Sequence, residues 1–204
     1  MVLVNKLKQR HKQKGFTLIE LMVVVVILGI LLIMVANPFK GTADPANAKA
    51  MRSFAKATAS AIGIMHAQLG TGTNALSNPI TKPGLTMMDV IVVGEDAVNS
   101  AYLSKYKSLN ARPLDTDVTV ITRPTGSTPG SYAVVNFPVT FQASCATVGK
   151  ICLQFDVVPS DTLQQLAQDF GIEFDSSQAV QTGNLRYTAA DGNGKHVVKM
   201  ITTP

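Results

Sequence analysis

The feature that most constrains the fold of this chain is a long apolar run near its N-terminus. Residues 16–36, FTLIELMVVVVILGILLIMVA, contain one charged side chain, that of Glu20. As a helix these 21 residues span about 31 Å, which matches the hydrocarbon core of a bilayer. Because the run is apolar on all sides of such a helix, it has no face suited to water. We therefore predict a helix that lies in lipid or is surrounded by other protein.

The positive charge of the chain is concentrated in front of this run. The net charge is +5, and five of the 18 basic residues precede Gly15: Lys6, Lys8, Arg10, Lys12 and Lys14. The remaining 13 basic residues equal the 13 acidic residues in number, so the rest of the chain has a formal net charge of zero. Positive charge beside an apolar span is typical of a segment that stays cytoplasmic. A nucleic-acid-binding arm is the alternative, but the neutral remainder argues against DNA binding by the folded part.

Glu20 separates the possible explanations of the apolar run. A secretory signal peptide has a shorter apolar core and small residues before its cleavage site, whereas Met34 lies two residues before Ala36. A plain single-span anchor does not explain Glu20, since a carboxylate in an apolar span costs several kcal/mol unless it is paired or neutralised. Glu20 either reaches back to the headgroups from one turn inside the span, or meets a cation during assembly.

The sequence around Glu20 resembles a known signal. Residues 14–21, KGFTLIEL, followed by the Val/Ile/Leu run, are similar to the class III signal of type IV pilins and pseudopilins. The resemblance implies that a prepilin peptidase cuts between Gly15 and Phe16 and then N-methylates Phe16. Glycine suits the cut, since without a Cβ it lets the backbone lie extended in a protease cleft. The resemblance also implies that Glu20 pairs with the amino terminus of a neighbouring subunit and sets the axial register of a filament.

The resemblance further implies how the chain is organised. Residues 1–15 would be a leader that the peptidase removes, and residues 16–37 a transmembrane helix that becomes the filament core. Residues 38–69 would form an amphipathic second half of the helix, and residues 70–204 a globular head. The expected fold class is α+β, a pilin fold in which a long N-terminal helix packs on an antiparallel β-sheet.

Two residues are expected to interrupt the N-terminal helix. Gly29 weakens a helix interior by about 1 kcal/mol, and Pro38 removes a backbone hydrogen bond and introduces a kink. Helices of the resembled family often loosen between such positions in the fibre. The alternative is a single kink at Pro38 with a short break through Gly41.

The next segment has the pattern of an amphipathic helix. Asp44 is a candidate cap, with Pro45 at the first helical position. Between residues 45 and 69 the pattern is amphipathic, and one set of positions recurs at spacings of three and four: Met51, Phe54, Ala55, Thr58, Ile62, Met65 and Leu69. Lys49, Arg52, Lys56 and Ser60 fall between them. We predict a helix that packs one face on a sheet and ends at Gly70 and Gly72.

The remaining sequence predicts a connection followed by strands. Residues 70–115 form a long connection, within which 86–93 and 95–106 are short helical or extended pieces. Segments with β-branched and aromatic content follow at 117–123, 132–142, 150–157, 184–189 and 196–202. Residues 191–194, DGNG, predict a hairpin turn before the last strand, and 161–170 predict a short helix with Asp161 as a possible cap.

Few residues suggest chemistry beyond assembly. Cys145 and Cys152 flank a short connection and would form a disulfide outside the cytoplasm, or else remain reduced in the core. A bridge would close a smaller loop than the C-terminal disulfide of many pilins. Asp191 and Asn193 suggest a turn more than a calcium site, because calcium takes at least six oxygen ligands. We expect no metal, no cofactor and no enzymatic activity.

The expected function is that of a structural subunit of a type IV pilus. Its implied partners are other copies of the chain in a helical filament, the prepilin peptidase, the pilus assembly machinery and minor pilins. The implied location is the bacterial inner membrane, with a single pass and a cytoplasmic N-terminus, and then the extracellular pilus. The alternatives are a minor pilin, a type II secretion pseudopilin, or a pilin-like subunit that binds DNA or a host surface. The same signal serves adhesion, twitching, DNA uptake and secretion.

Overall fold

The chain divides into two compact units, Met1–Thr42 and Ala43–Pro204. The computed structural model describes residues 18–36, 43–109, 121–122, 129–142, 145 and 149–204. The first unit contains helix α1, Leu18–Ala36. Among the described residues, no helix combines the length and apolarity that a membrane crossing requires. We call the second unit, Ala43–Pro204, the folded unit.

The folded unit begins with helices and continues with strands. Its helices are α2 (Ala43–Leu69), α3 (Met87–Val93), a 3-10 turn (Gly94–Ala97), α4 (Ser100–Lys107) and α5 (Ser160–Asp169). Its strands are β1 (Ile121–Thr122), β2 (Tyr132–Val134), β3 (Phe137–Phe141), β4 (Ile151–Pro159), β5 (Leu185–Tyr187) and β6 (Lys195–Thr202). This α+β arrangement confirms the predicted fold class and is consistent with a pilin fold.

The six strands that the structure describes form one antiparallel sheet in the order β1-β2-β3-β4-β6-β5. The longest pairing joins β4 to β6, and its register shifts between Phe155 and Val158, where a bulge places the exposed Val157 at φ +60°. The β5–β6 connection turns at residues 191–194, as the sequence predicted.

The segment 132–142 is not one strand as predicted. It is a tight hairpin of β2 and β3, with Tyr132 opposite Val139. The two turn residues, Val135 and Asn136, both have positive φ angles, of 50° and 70°. A two-residue hairpin turn of this kind usually carries Asn-Gly, so Val-Asn gave no turn signal in an otherwise β-rich sequence.

Helix α2 presents the predicted apolar face to the interior. Met51, Phe54, Ala55, Thr58, Ile62, Met65 and Leu69 are all buried. Its first half packs with the sheet and α5, where the Phe54 ring meets Phe155 edge-on at 6.3 Å between centroids. Its second half packs with α3 and α4 around Ile62 and Met65. The helix ends at Leu69, and Gly70 follows at φ +67°, as expected for a glycine after a helix C-terminus.

Two predicted helix caps are wrong. Helix α2 begins at Ala43, so Asp44 lies inside its first turn, where it accepts a hydrogen bond of 2.7 Å from the Thr162 hydroxyl of α5. Helix α5 begins at Ser160, and the capping position belongs to Pro159, whose backbone is extended. Asp161 therefore lies in the first turn, where a carboxylate still complements the helix dipole.

Candidate functional site

The predicted N-terminal site lies only partly within the described residues. Gly15, Phe16 and Pro38 fall outside them. Glu20 lies in the first turn of α1, where the positive end of the helix dipole favours a carboxylate. Gly29 lies within the same helix, which continues to Ala36.

The described part of α1 is apolar and exposed on all sides. All side chains from residue 18 to 28 are exposed, from Val23 at 51% to Leu18 at 85%. A continuous apolar surface on a helix with no polar face is unfavourable in water, since soluble proteins seldom expose large apolar patches. This surface therefore suits lipid or other protein chains.

Cys145 and Cys152 form a disulfide across the connection between β3 and β4. Their Cα atoms lie 5.7 Å apart, and both residues are buried beside Ile201 of β6. A bridge over so short a loop stabilises a fold by about 2 kcal/mol, chiefly by restricting the unfolded chain. The bridge joins the β3–β4 connection to the start of β4.

A buried carboxylate that the sequence analysis did not single out connects the helical layer to the sheet. Asp89 of α3 is 1% exposed and accepts hydrogen bonds from the Thr86 backbone N–H at 2.8 Å and from the Thr86 hydroxyl at 2.8 Å. The same carboxylate accepts from the Gly130 N–H at 3.0 Å and from the Tyr132 hydroxyl at 2.7 Å. Burial raises the pKa of Asp89, but these hydrogen bonds outweigh it and hold the pKa below its ordinary value.

A signal for Asp89 was present in the sequence. It is the single acid in the run MMDVIVV, and it follows Thr86 by three residues. This spacing is typical of a helix start in which an acidic side chain bonds back to the capping backbone. Its two contacts with residues 130 and 132 carry no local signal, because they depend on the tertiary fold.

The Asp191 turn is held by its own backbone. The Asp191 carboxylate accepts from the N–H groups of Lys195 and Asn193, each at 2.8 Å, and these bonds lower its pKa. Within the described ranges, no group of three or more His, Cys, Asp or Glu side chains is arranged to hold a metal ion. One carboxylate oxygen of Asp191, Oδ1, is thus engaged in the turn.

Comparison with known proteins yields one match. Residues 10–36 match the model of the prokaryotic N-terminal methylation motif. No curated protein and no solved structure matches the chain. The motif supports a type IV pilin-like or pseudopilin subunit without separating the two. The chain therefore carries the prokaryotic N-terminal methylation motif, the class III signal peptide of type IV pilins and pseudopilins.

Proposed function

We propose that this chain is a structural subunit of a type IV pilus. The observation that carries the proposal is the methylation motif at residues 10–36 together with an apolar helix whose described side chains are all exposed. Lipid covers that helix before assembly, and other copies of the chain cover it in the filament. The driving force for assembly is the packing of apolar helices side by side in place of lipid contacts.

The proposed life cycle assigns a role to each N-terminal residue. The prepilin peptidase removes residues 1–15 by cutting between Gly15 and Phe16, and N-methylates Phe16. Residues 16–37 hold the subunit in the bacterial inner membrane with a cytoplasmic N-terminus, and the assembly machinery then moves it into the extracellular filament. Gly29 and Pro38 allow the helix to loosen on the way.

Glu20 supplies the register in this proposal. The carboxylate pairs with the amino terminus of Phe16 on a neighbouring subunit, which compensates a charge in an apolar filament core. A charge pair in a low-dielectric core tolerates little axial displacement, since the attraction falls as the two groups separate. Setting register is the best-attested use of such buried pairs.

The same motif also serves type II secretion pseudopilins and minor pilins, which form the second candidate. The 189 residues after Gly15 favour a pilin over the usually shorter major pseudopilin. The two candidates share cleavage, methylation and assembly, and they differ in the abundance of the subunit in surface filaments.

Blocking the cut tests the proposal. Gly15→Leu adds a branched side chain at the cleavage position, so we expect the chain to keep residues 1–15 and to form no filaments. Intact-mass measurement of the membrane-bound chain shows whether residues 1–15 are still attached. Val4→Leu, which adds the same residue inside the leader but away from the cut, should be processed normally. A wild-type chain that retains residues 1–15 would contradict the proposal.

A further inference from the structure

The outer side of α2 and the neighbouring helix α5 form an open groove in the folded unit. Lys49, Arg52 and Lys56 of α2 and Asp169 of α5 supply its charged groups. The three cations recur at spacings of three and four residues, which places them on one face of α2. We call this surface the basic groove, and it carries three positive charges against one negative charge.

The internal pairing of the basic groove leaves its two lysines available. Arg52 Nη1 lies 3.1 Å from Asp169 Oδ2, and its guanidinium lies 5.6 Å from the centre of the Phe170 ring. Lys49 and Lys56 are exposed and form no ion pair with any residue in the part of the chain that the structure describes. The groove therefore has two uncompensated positive charges.

The chain around α5 carries the opposite charge. The stretch from residue 151 to 185 contains no Lys or Arg, and it contains five acids: Asp156, Asp161, Asp169, Glu173 and Asp175. We call residues 171–175 the acidic loop. Its two carboxylates, Glu173 and Asp175, are both exposed.

The acidic loop keeps its charge uncompensated. Asp175 accepts hydrogen bonds from the Ser177 hydroxyl at 2.7 Å, the Ser177 N–H at 2.9 Å and Gln178 Nε2 at 2.8 Å. All three donors are neutral. The bonds orient one carboxylate without cancelling its charge, and Glu173 forms no ion pair among the described residues.

We infer that the basic groove of one copy binds the acidic loop of a second copy, an inference that rests on the proposed filament function. Two uncompensated positive charges meet two uncompensated negative charges. In a filament, the groove of each copy contacts the loop of the next copy, so the contact is heterologous, and repeating it adds further copies in one direction. A heterologous contact whose rotation does not close produces an open helical filament.

Charge reversal on each side of the contact tests the inference. The full chain would be produced in cells with its assembly machinery, and the yield of sheared filaments would be compared with the amount of cleaved subunit in the membrane. Lys49→Glu or Glu173→Lys alone should lower the yield about tenfold, because like charges then face each other. The two substitutions together should restore it. Lys105→Glu makes the same charge change on the exposed face of α4, outside the groove, and should have no effect.

The possible outcomes separate the inference from the function on which it rests. Single reversals at wild-type yield, or a combined variant as weak as the single ones, would overturn the inference while leaving the filament function intact. A Lys49→Glu filament at normal yield that retains less added DNA would overturn it in favour of a nucleic-acid ligand. Wild-type cells that make no filaments containing this chain would overturn both. Cleaved subunit at wild-type level in each variant membrane confirms that the variant is folded and processed.

Discussion

Glu20 and Asp89 are both carboxylates within apolar stretches of the chain, and their surroundings differ. Asp89 is satisfied inside the folded unit by donors from Thr86, Gly130 and Tyr132. Glu20 lies in the first turn of an exposed apolar helix. Asp89 thus serves the stability of one subunit, and Glu20, in our proposal, serves the contact between subunits.

Replacing Glu20 tests the register role. Glu20→Val should leave membrane insertion unchanged, because the substitution makes the span more apolar. It should lower filament yield by about tenfold or more, since removing one partner of a buried pair costs about 3–5 kcal/mol. Sheared filaments and membrane fractions would be compared by immunoblot. Leu21→Val, a change without charge at the next position, should assemble normally, and normal yield from Glu20→Val would count against the register role.

Replacing Asp89 tests the network between α3 and the sheet. In Asp89→Asn, one carboxylate oxygen becomes an amide donor facing other donors, so we expect a loss of about 1–3 kcal/mol of unfolding free energy. Urea unfolding of the detergent-solubilised chain can be followed by tyrosine fluorescence, because the chain has four Tyr and no Trp. Asp96→Asn, at an exposed position of the 3-10 turn, should change little.

The Asp89 contribution should also depend on pH. The pKa of this carboxyl is below its ordinary value of 3.8 in the folded state, so the unfolded chain takes up the proton first as the pH falls. The stabilisation is therefore present above about pH 4 and is lost as the pH falls through the folded pKa. The difference between wild type and Asp89→Asn should shrink in that range. An unchanged difference at pH 3 and pH 6 would contradict this account.

Among the single elements of the fold, helices were easier to predict from the sequence than turns. The apolar spacing of α2 identified its whole buried face, because a helix that packs on one side repeats its apolar positions over many turns. The hairpin at Val135–Asn136 was missed, since its positive φ angles are imposed by the pairing of β2 with β3 and not by a turn sequence. The helices α3 and α4 are too short for a clear periodic signal, so the sequence predicted only short helical or extended pieces there.

A close contact at Gly130 offers a test of how α3 meets the sheet. A Cβ on Gly130, at φ +81°, would lie 2.6 Å from Thr86 Oγ1. Gly183 has a similar φ of +83°, and nothing lies within 4 Å of a Cβ there. Gly183→Ala should cost about 1 kcal/mol for the left-handed backbone alone. Gly130→Ala should cost about 1–3 kcal/mol more, because it also crowds Thr86 beside the Asp89 network.

Urea unfolding of the two variants measures that difference. Both substitutions change the unfolded chain in the same way, so the comparison isolates the contact in the folded state. Equal losses of unfolding free energy would show that the structure around Thr86 yields without cost. Such a result would contradict the close packing of α3 against the β2 end of the sheet.

At the scale of the whole molecule, a short N-terminal motif indicates function more specifically than the sequence of the folded unit does. The methylation motif could be recognised from residues 14–21 because a Gly-Phe pair and a lone glutamate stand at the start of a long apolar run. The α+β class of the folded unit could be predicted from helix and strand patterns. The sequence did not allow us to predict the sheet order, the Asp89 network or the charge of the α2–α5 groove, because these features join residues distant in sequence. Asp89 and Gly130, for instance, are 41 residues apart.

The assembly of many copies through the N-terminal helix is the central claim at this scale. Mass spectrometry of purified surface filaments tests it most directly, because one spectrum gives both the abundance of the chain and its first residue. We expect this chain to be a major component, beginning at an N-methylated Phe16. A chain that keeps residues 1–15 and occurs only as a membrane monomer would contradict the account.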